Sequence, residues 1–187
     1  MRIIGGKHKG VRLKSRKSNA TRPLLARVKK SLFSIILPRL EGARFLDLFA
    51  GTGAVGIEAL SRGAALCYFV DQNEQCCIVI RDNLKLIDRI SDAHILRKKV
   101  STALNLMEEE EKQFDIIFVG PPYDTDFAAK TITRLGESSI LHEDTTVIAE
   151  VRKNTAMPQH AGYLVLNRTE TYGDTSLLFY QYCTAVQ

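Results

Sequence analysis

The sequence predicts an α/β fold, an open and mostly parallel sheet covered by helices on both faces, and three observations carry that prediction. Short apolar runs alternate with stretches of helical spacing from Phe45 to Val151. The first run is followed at once by Gly51, Gly53 and Gly56, a strand, turn and helix start at which a ligand can approach the backbone closely. The chain closes with two extended runs around Tyr172, Gly173 and Asp174, an antiparallel pair. Ligands of such sheets lie outside the carboxyl ends of the strands. The length of 187 residues suits one domain with a small appendage. No internal repeat and no second domain of similar size is visible.

Residues 2–6 and 10–14 read as two short strands around a turn bearing glycine and lysine, a small hairpin. Residues 15–21 are polar and read as a loop. Arg22 and Pro23 open the next element, because proline is favoured in a first helical turn. Apolar positions 25, 28, 32, 35 and 36 then recur at helical spacing, with Arg27, Lys29 and Lys30 on other faces and Pro38 at the end. That helix is expected to pack on the sheet and line the ligand pocket. Residues 45–49 form the first strand, with one acid, Asp47, inside an apolar run. Residues 54–60 are helical, and Gly63 closes them as a C-cap would. Residues 66–71 are a second strand ending in an acid, and residues 75–86 a helix with Ile78, Val79 and Leu86 inward. A strand at 94–97, a helix at 101–111, a strand at 114–119, a helix at 127–135 and a strand at 145–151 follow. Residues 162–171 and 175–183 are the closing pair.

Asp47 gives the glycine turn a chemical character. An acid four residues before the first glycine suits a cationic or amine-bearing ligand. S-adenosylmethionine carries an ammonium and a sulfonium and no phosphate. The spacing of Gly51, Gly53 and Gly56 also fits the dinucleotide fingerprint, which alone is weak evidence, and a pyrophosphate would be repelled by Asp47. Asp71, twenty residues beyond Gly51, stands where a ribose diol is held in such folds, although an acid there also caps the following helix.

Charge is unevenly placed. Residues 1–40 hold twelve Lys or Arg and no acid, leaving 14 basic against 21 acidic residues beyond. A basic arm on an acidic body fits a nucleic acid better than a merely solvated surface. Cys67, Cys76, Cys77 and Cys183 and the scattered histidines show no metal-ligand spacing, so thiols and no metal are expected. No apolar run reaches the length of a membrane span and no secretory signal is visible, so a cytoplasmic protein without membrane contact is expected.

In this order and spacing the motifs are specific, and the chain resembles the RsmD family, bacterial methyltransferases acting on a guanine exocyclic amine of 16S ribosomal RNA. The likeness runs through residues 2–10, Arg22–Pro23 with Arg27 and Val28, residues 45–63, Val70–Asp71, and Phe118 to Tyr123. It implies a Rossmann-like class I methyltransferase fold, with a seven-stranded sheet and a small N-terminal hairpin. A basic arm at 1–21 and a catalytic body at 22–187 are expected, acting as a monomer on a small-subunit or assembly particle. The donor is S-adenosylmethionine, leaving S-adenosylhomocysteine, bound by Asp47, Phe49, Gly51, Gly53, Asp71, Gln72, Lys99 and Val100. Gly120, Pro121, Pro122 and Tyr123 are the expected catalytic loop, and Arg2, Lys7, Lys9, Arg12, Lys14, Arg22 and Arg27 the expected RNA contacts.

The chain departs from the family pattern at three points. The loop begins with Gly120 where the family has Asp or Asn. The helix after Pro23 carries Ala26 and Lys30 where acids are usual, and Lys99 stands near the adenine position of an acid or amide. An aromatic amine is a poor nucleophile, and hydrogen bonds accepted from its two hydrogens aim its lone pair at the methyl. Gly120 offers only its carbonyl and that of Pro121. A weakened enzyme, an enzyme with a substitute acceptor such as Asp124 or Asp126, and a silent RNA-binding homologue are all open at this point. Tyr123 is expected to stack on an extruded target base.

Overall fold

The structure is a computed structural model and describes residues 1–15, 26–123 and 125–184. Its framework is one sheet whose strands lie in the order β3-β2-β1-β4-β5-β8-β7-β6. The parallel core is β1 (Arg44–Leu48), β2 (Leu66–Val70), β3 (Ala93–Leu96), β4 (Ile116–Val119) and β5 (Thr146–Arg152). β7 (Leu164–Tyr172) and β8 (Thr175–Tyr182) form the closing antiparallel pair, with β8 against β5. Among the described residues the sheet has eight strands rather than the expected seven, because His160–Ala161 adds an edge strand, β6. Two residues carry no period for a sequence pattern to reveal.

The period of two along each central strand divides the core. Phe45, Phe69, Phe118 and Ile148 face one side, and Leu46, Leu48, Val70, Val119 and Ala149 the other. α1 (Ala26–Ile36), α2 (Ala54–Ser61) and α3 (Glu74–Leu86) cover the first face. α4 (Val100–Glu109) and α5 (Phe127–Leu135) cover the second. Among the described residues no helix is long and apolar enough to cross a membrane.

Two local expectations, on α1 and α3, are corrected, and the N-terminal hairpin has a docking surface that its sequence does not show. The N-terminal segment is the expected hairpin: an antiparallel bridge joins Arg2 to Arg12, Ile3 N–H donates to the Val11 carbonyl at 3.0 Å, and Leu13 N–H to the Met1 carbonyl at 3.0 Å. Three further backbone donors dock it on α2. Ile4 N–H donates to the Glu58 carboxylate at 2.9 Å, Lys7 N–H to the Ser61 carbonyl at 2.8 Å, and His8 N–H to the Ser61 hydroxyl at 3.1 Å. Gly6 allows this approach, since a Cβ there would stand 1.8 Å from the Ser61 oxygen.

Lys29 is on the buried face of α1, not on a solvated one. It is 2% exposed, and its ammonium lies 2.9 Å from Glu58, itself fully buried. Lys29 also donates to the Arg2 carbonyl at 3.0 Å, and Glu58 receives Arg62 at 2.8 Å. The α-helix ends at Ile36, before Pro38 as expected, and Pro38 sits in a short 3-10 turn (Leu37–Arg39) that follows; the Arg22–Pro23 start lies outside the described residues.

α3 is rotated from its expected face. Ile78 and Leu86 are 41% and 49% exposed, while Cys76, Cys77, Ile80 and Leu84 point inward. Asn73 sets this phase as N-cap, accepting from Gln75 N–H at 2.9 Å. Two cysteines that act as small apolar residues complete the inward stripe.

Candidate functional site

The glycine turn is built on the carboxyl end of β1. Phe49 has φ 62°, an unusual conformation for a bulky residue. Its ring stacks on Phe127 with centroids 6.1 Å apart. Gly51 follows at φ 57° with nothing within 4 Å of where a Cβ would stand, so its outer side is open. Gly56 is different: a Cβ would come within 2.4 Å of the Phe69 ring, and its absence lets α2 lie close on the sheet.

Asp47 lies beneath the turn. It is 1% exposed, and its Oδ2 accepts the Gly56 N–H at 2.9 Å. Gly53, the N-cap of α2, has no side chain to cap with, so Asp47 satisfies a first-turn donor from the strand side. The sequence assigns Asp47 to the ligand directly; the fold gives it this backbone partner. Burial pushes its carboxyl up from 3.8 to about 7, opposed by the Gly56 hydrogen bond and reinforced by Asp71 and Glu150. The folded protein therefore keeps a proton that the unfolded chain releases. That contribution to stability is whole at pH below about 3.8 and is lost as pH rises towards 7, with a slope of about 1.4 kcal/mol per unit. Denaturation midpoints measured between pH 4.5 and 8 should show the decline, and Asp47→Asn should flatten it.

Asp71, at the end of β2, holds the turn from the other side. Its Oδ2 accepts the Gly51 N–H at 2.9 Å and its Oδ1 the Asn73 N–H at 2.8 Å. The helix cap is Asn73, which leaves Asp71 to the glycine turn. Gln72 is exposed beside it. Lys99 and Val100 open α4 beyond β3, on the same edge of the sheet. With β1 between β2 and β4, these groups and the Gly120–Tyr123 loop meet where the strand order reverses.

The loop after β4 is pinned through its aromatic residue. Tyr123 donates its hydroxyl to Glu150 Oε1 at 2.8 Å and lies 2.9 Å from the Thr175 hydroxyl. The Arg152 guanidinium sits over the Tyr123 ring, 5.8 Å from its centroid. Burial pushes the Glu150 carboxyl above its ordinary value, and the Tyr123 hydrogen bond opposes this. A Cβ on Gly120 would stand 2.7 Å from the Phe118 ring, so a side chain at that position requires the ring to move. Asp126 is occupied by Lys130 at 2.5 Å, and Asp124 lies outside the described residues.

Beside this loop opens a cleft of about 860 Å³. Arg27, Arg152 and Lys153 supply cations, Tyr123 and Tyr172 aromatic rings, and Asp174 an acid to its lining. Among the described residues, α1 contributes Ala26 and Arg27 to the lining. Of the other residues expected to touch RNA, Lys14 is paired with Asp82 at 2.8 Å and Arg2 donates to the Gly10 carbonyl at 3.1 Å. Lys7, Lys9 and Arg12 are exposed on the segment docked against α2, and Arg22 lies outside the described residues. Sequence reasoning missed Glu150, Arg152, Lys153 and Tyr172. Glu150 had a signal: like Asp47, it is an acid inside an apolar strand.

Comparison with known proteins places this geometry among relatives. A family model described as "Conserved hypothetical protein 95" matches residues 1–181. A Bacillus subtilis protein named "Putative rRNA methyltransferase YlbH" is 39% identical over 181 residues, covering 97% of this chain and 98% of the relative. The Escherichia coli ribosomal RNA small subunit methyltransferase D is 29% identical over 97% of this chain and 89% of its own. Among solved structures, a hypothetical protein from Thermus thermophilus superposes with a TM-score of 0.81 at 30% identity, covering 96% of this chain and 98% of the other.

Proposed function

The chain belongs to the RsmD family of ribosomal RNA methyltransferases, and on that premise we propose that it methylates the exocyclic 2-amino group of a guanine in 16S ribosomal RNA. The donor is S-adenosylmethionine. The residues fit it: Gly51 leaves the backbone open to a ligand, and Asp71 stands fixed beside that opening with two charged oxygens. Asp71 and Gln72 would hold the ribose, the Phe49–Gly53 backbone the amino-acid end, and Lys99 and Val100 the adenine. Asp47 supports the turn from below. The bound donor supplies an electrophilic methyl group.

The rest falls to the loop and the cleft. The carbonyls of Gly120 and Pro121 accept hydrogen bonds from the amine, and Tyr123 stacks on the extruded base. Arg27, Arg152 and Lys153 meet the flanking phosphates, while the basic segment 1–21 supplies a second RNA surface on the catalytic body. Positioning of the amine against the methyl accounts for much of the rate. We assign the activity to a monomer in the cytoplasm, acting on a small-subunit or assembly particle. The single observation that carries this reading is the Asp71–Gly51 clamp at the strand-order reversal, one strand away from the Gly120–Tyr123 loop.

Gly120 favours a second reading, a family member that binds RNA without transferring methyl. One experiment separates them. Incubation with labelled donor and unmethylated small subunits should place N2-methylguanosine in 16S RNA, identified by mass spectrometry of the nucleosides, and Tyr123→Ala should abolish it. RNA binding with no transfer would support the silent homologue.

A further inference from the structure

We propose that Glu150 is the side-chain acceptor for the target amine in this chain, in the place that a side chain at position 120 would otherwise fill. The proposal rests on the amine methylation set out above. Gly120 has no polar side chain, and the Phe118 ring stands against the side where one would project. An acceptor must therefore come from a neighbour. β4 and β5 are parallel, with Val119 beside Ala149. One residue beyond this last pair, β5 continues with Glu150 and the loop after β4 begins with Gly120. Phe118 and Ile148, two residues earlier, are paired and share one face of the sheet, so Glu150 and Gly120 share that face too.

The carboxylate is held ready for such a part. Oε1 takes the Tyr123 hydroxyl at 2.8 Å, and Thr175 steadies the same hydroxyl. Oε2 has no hydrogen bond to the described residues and is not among their sealed, unpartnered polar atoms. One oxygen thus anchors the loop's aromatic residue and the other remains accessible. In the transfer, the amine lone pair forms the new nitrogen–carbon bond. The electron pair of the breaking carbon–sulfur bond stays on sulfur, and the amine proton passes to Glu150 and then to water.

The alternative role for Glu150 is that of an anchor for Tyr123 alone, and substitution separates the two. Transfer to unmethylated small subunits is measured for the wild type, Tyr123→Phe, Glu150→Ala and the double variant, with donor affinity by calorimetry and melting temperature as controls for folding. Tyr123→Phe removes only the anchoring bond and should lower kcat by about 10-fold or less. Glu150→Ala should lower kcat by ~100–1000-fold, the loss that accompanies removal of one preorganised polar group. Its KM for subunits and its donor affinity should stay within about twofold of wild type. Glu150→Gln, which keeps one acceptor oxygen, should fall between. Glu150→Ala that costs no more than Tyr123→Phe, and adds nothing in the double variant, would make Glu150 an anchor and overturn the proposal. A wild type that binds donor and transfers to no nucleotide would overturn both this assignment and the activity it rests on.

Discussion

Glu58→Ala is expected to be the most destabilising single substitution in this protein, by about 3–5 kcal/mol. Glu58 is fully buried and is the hub of three contacts: Lys29 at 2.9 Å, Arg62 at 2.8 Å and the Ile4 N–H at 2.9 Å. Truncation strands the Lys29 ammonium at 2% exposure, and an unpaired buried charge is among the costliest defects a core can hold. Against a typical total of ~5–15 kcal/mol this is a large share, and the melting temperature should drop by roughly 10 °C or more. Lys29→Met should cost less, because Glu58 keeps Arg62 and Ile4 as partners. Equal losses for the two variants would contradict the hub assignment. A functional consequence follows from the same contacts. Glu58 and Lys29 tie the basic segment to α2, the helix that rises from the glycine turn. Glu58→Ala should therefore make the chain near Lys7, Lys9 and Arg12 cleavable by trypsin at temperatures where the wild type resists.

Asp71→Ala carries the largest expected effect on ligand binding. Two interactions fail together. The Gly51 and Asn73 N–H groups lose their acceptors, which frees the turn, and, on the proposed assignment, the donor's ribose diol loses a charged partner. A hydrogen bond to a charged group contributes about 1.5–3 kcal/mol, so the affinity for S-adenosylhomocysteine should fall ~10- to 100-fold in a calorimetric titration. Asp71→Asn keeps one acceptor oxygen and should lose less. Affinity unchanged in Asp71→Ala would remove Asp71 from the donor site.

The fold was legible because the central strands are short, apolar and bounded by turns, and because helices of ordinary length separate them. β1 and β2 were readable to within a residue, and α5 matched its observed bounds, Phe127–Leu135. The errors share a cause. Lys29 reads as a surface cation because its partner, Glu58, is distant in sequence. The docking of the N-terminal hairpin on α2 is hidden for the same reason, since its acceptors there, Glu58 and Ser61, sit on another element. Asn83 is a third case: fully buried, it accepts from Lys14 N–H at 2.7 Å and donates to the Thr52 carbonyl at 3.1 Å. It thereby joins the basic segment to the glycine turn, and nothing in its local sequence announces that. The proposed donor side lies in a contiguous strand, turn and helix, a pattern that a sequence displays. The proposed acceptor side draws on β4, β5, β8 and α1, and of it the sequence singles out the 120–123 loop and Arg27.

The account stands on the clamp formed by Asp71 and Gly51, and a crystal structure of the protein grown with S-adenosylhomocysteine tests it most directly. The expected result is a ribose on the Asp71 carboxylate, an amino-acid end over the Gly51 backbone, and a sulfur facing the Gly120–Tyr123 loop. A cleft with no ligand at saturating concentration, or one that takes a phosphate-linked dinucleotide in preference, would contradict it.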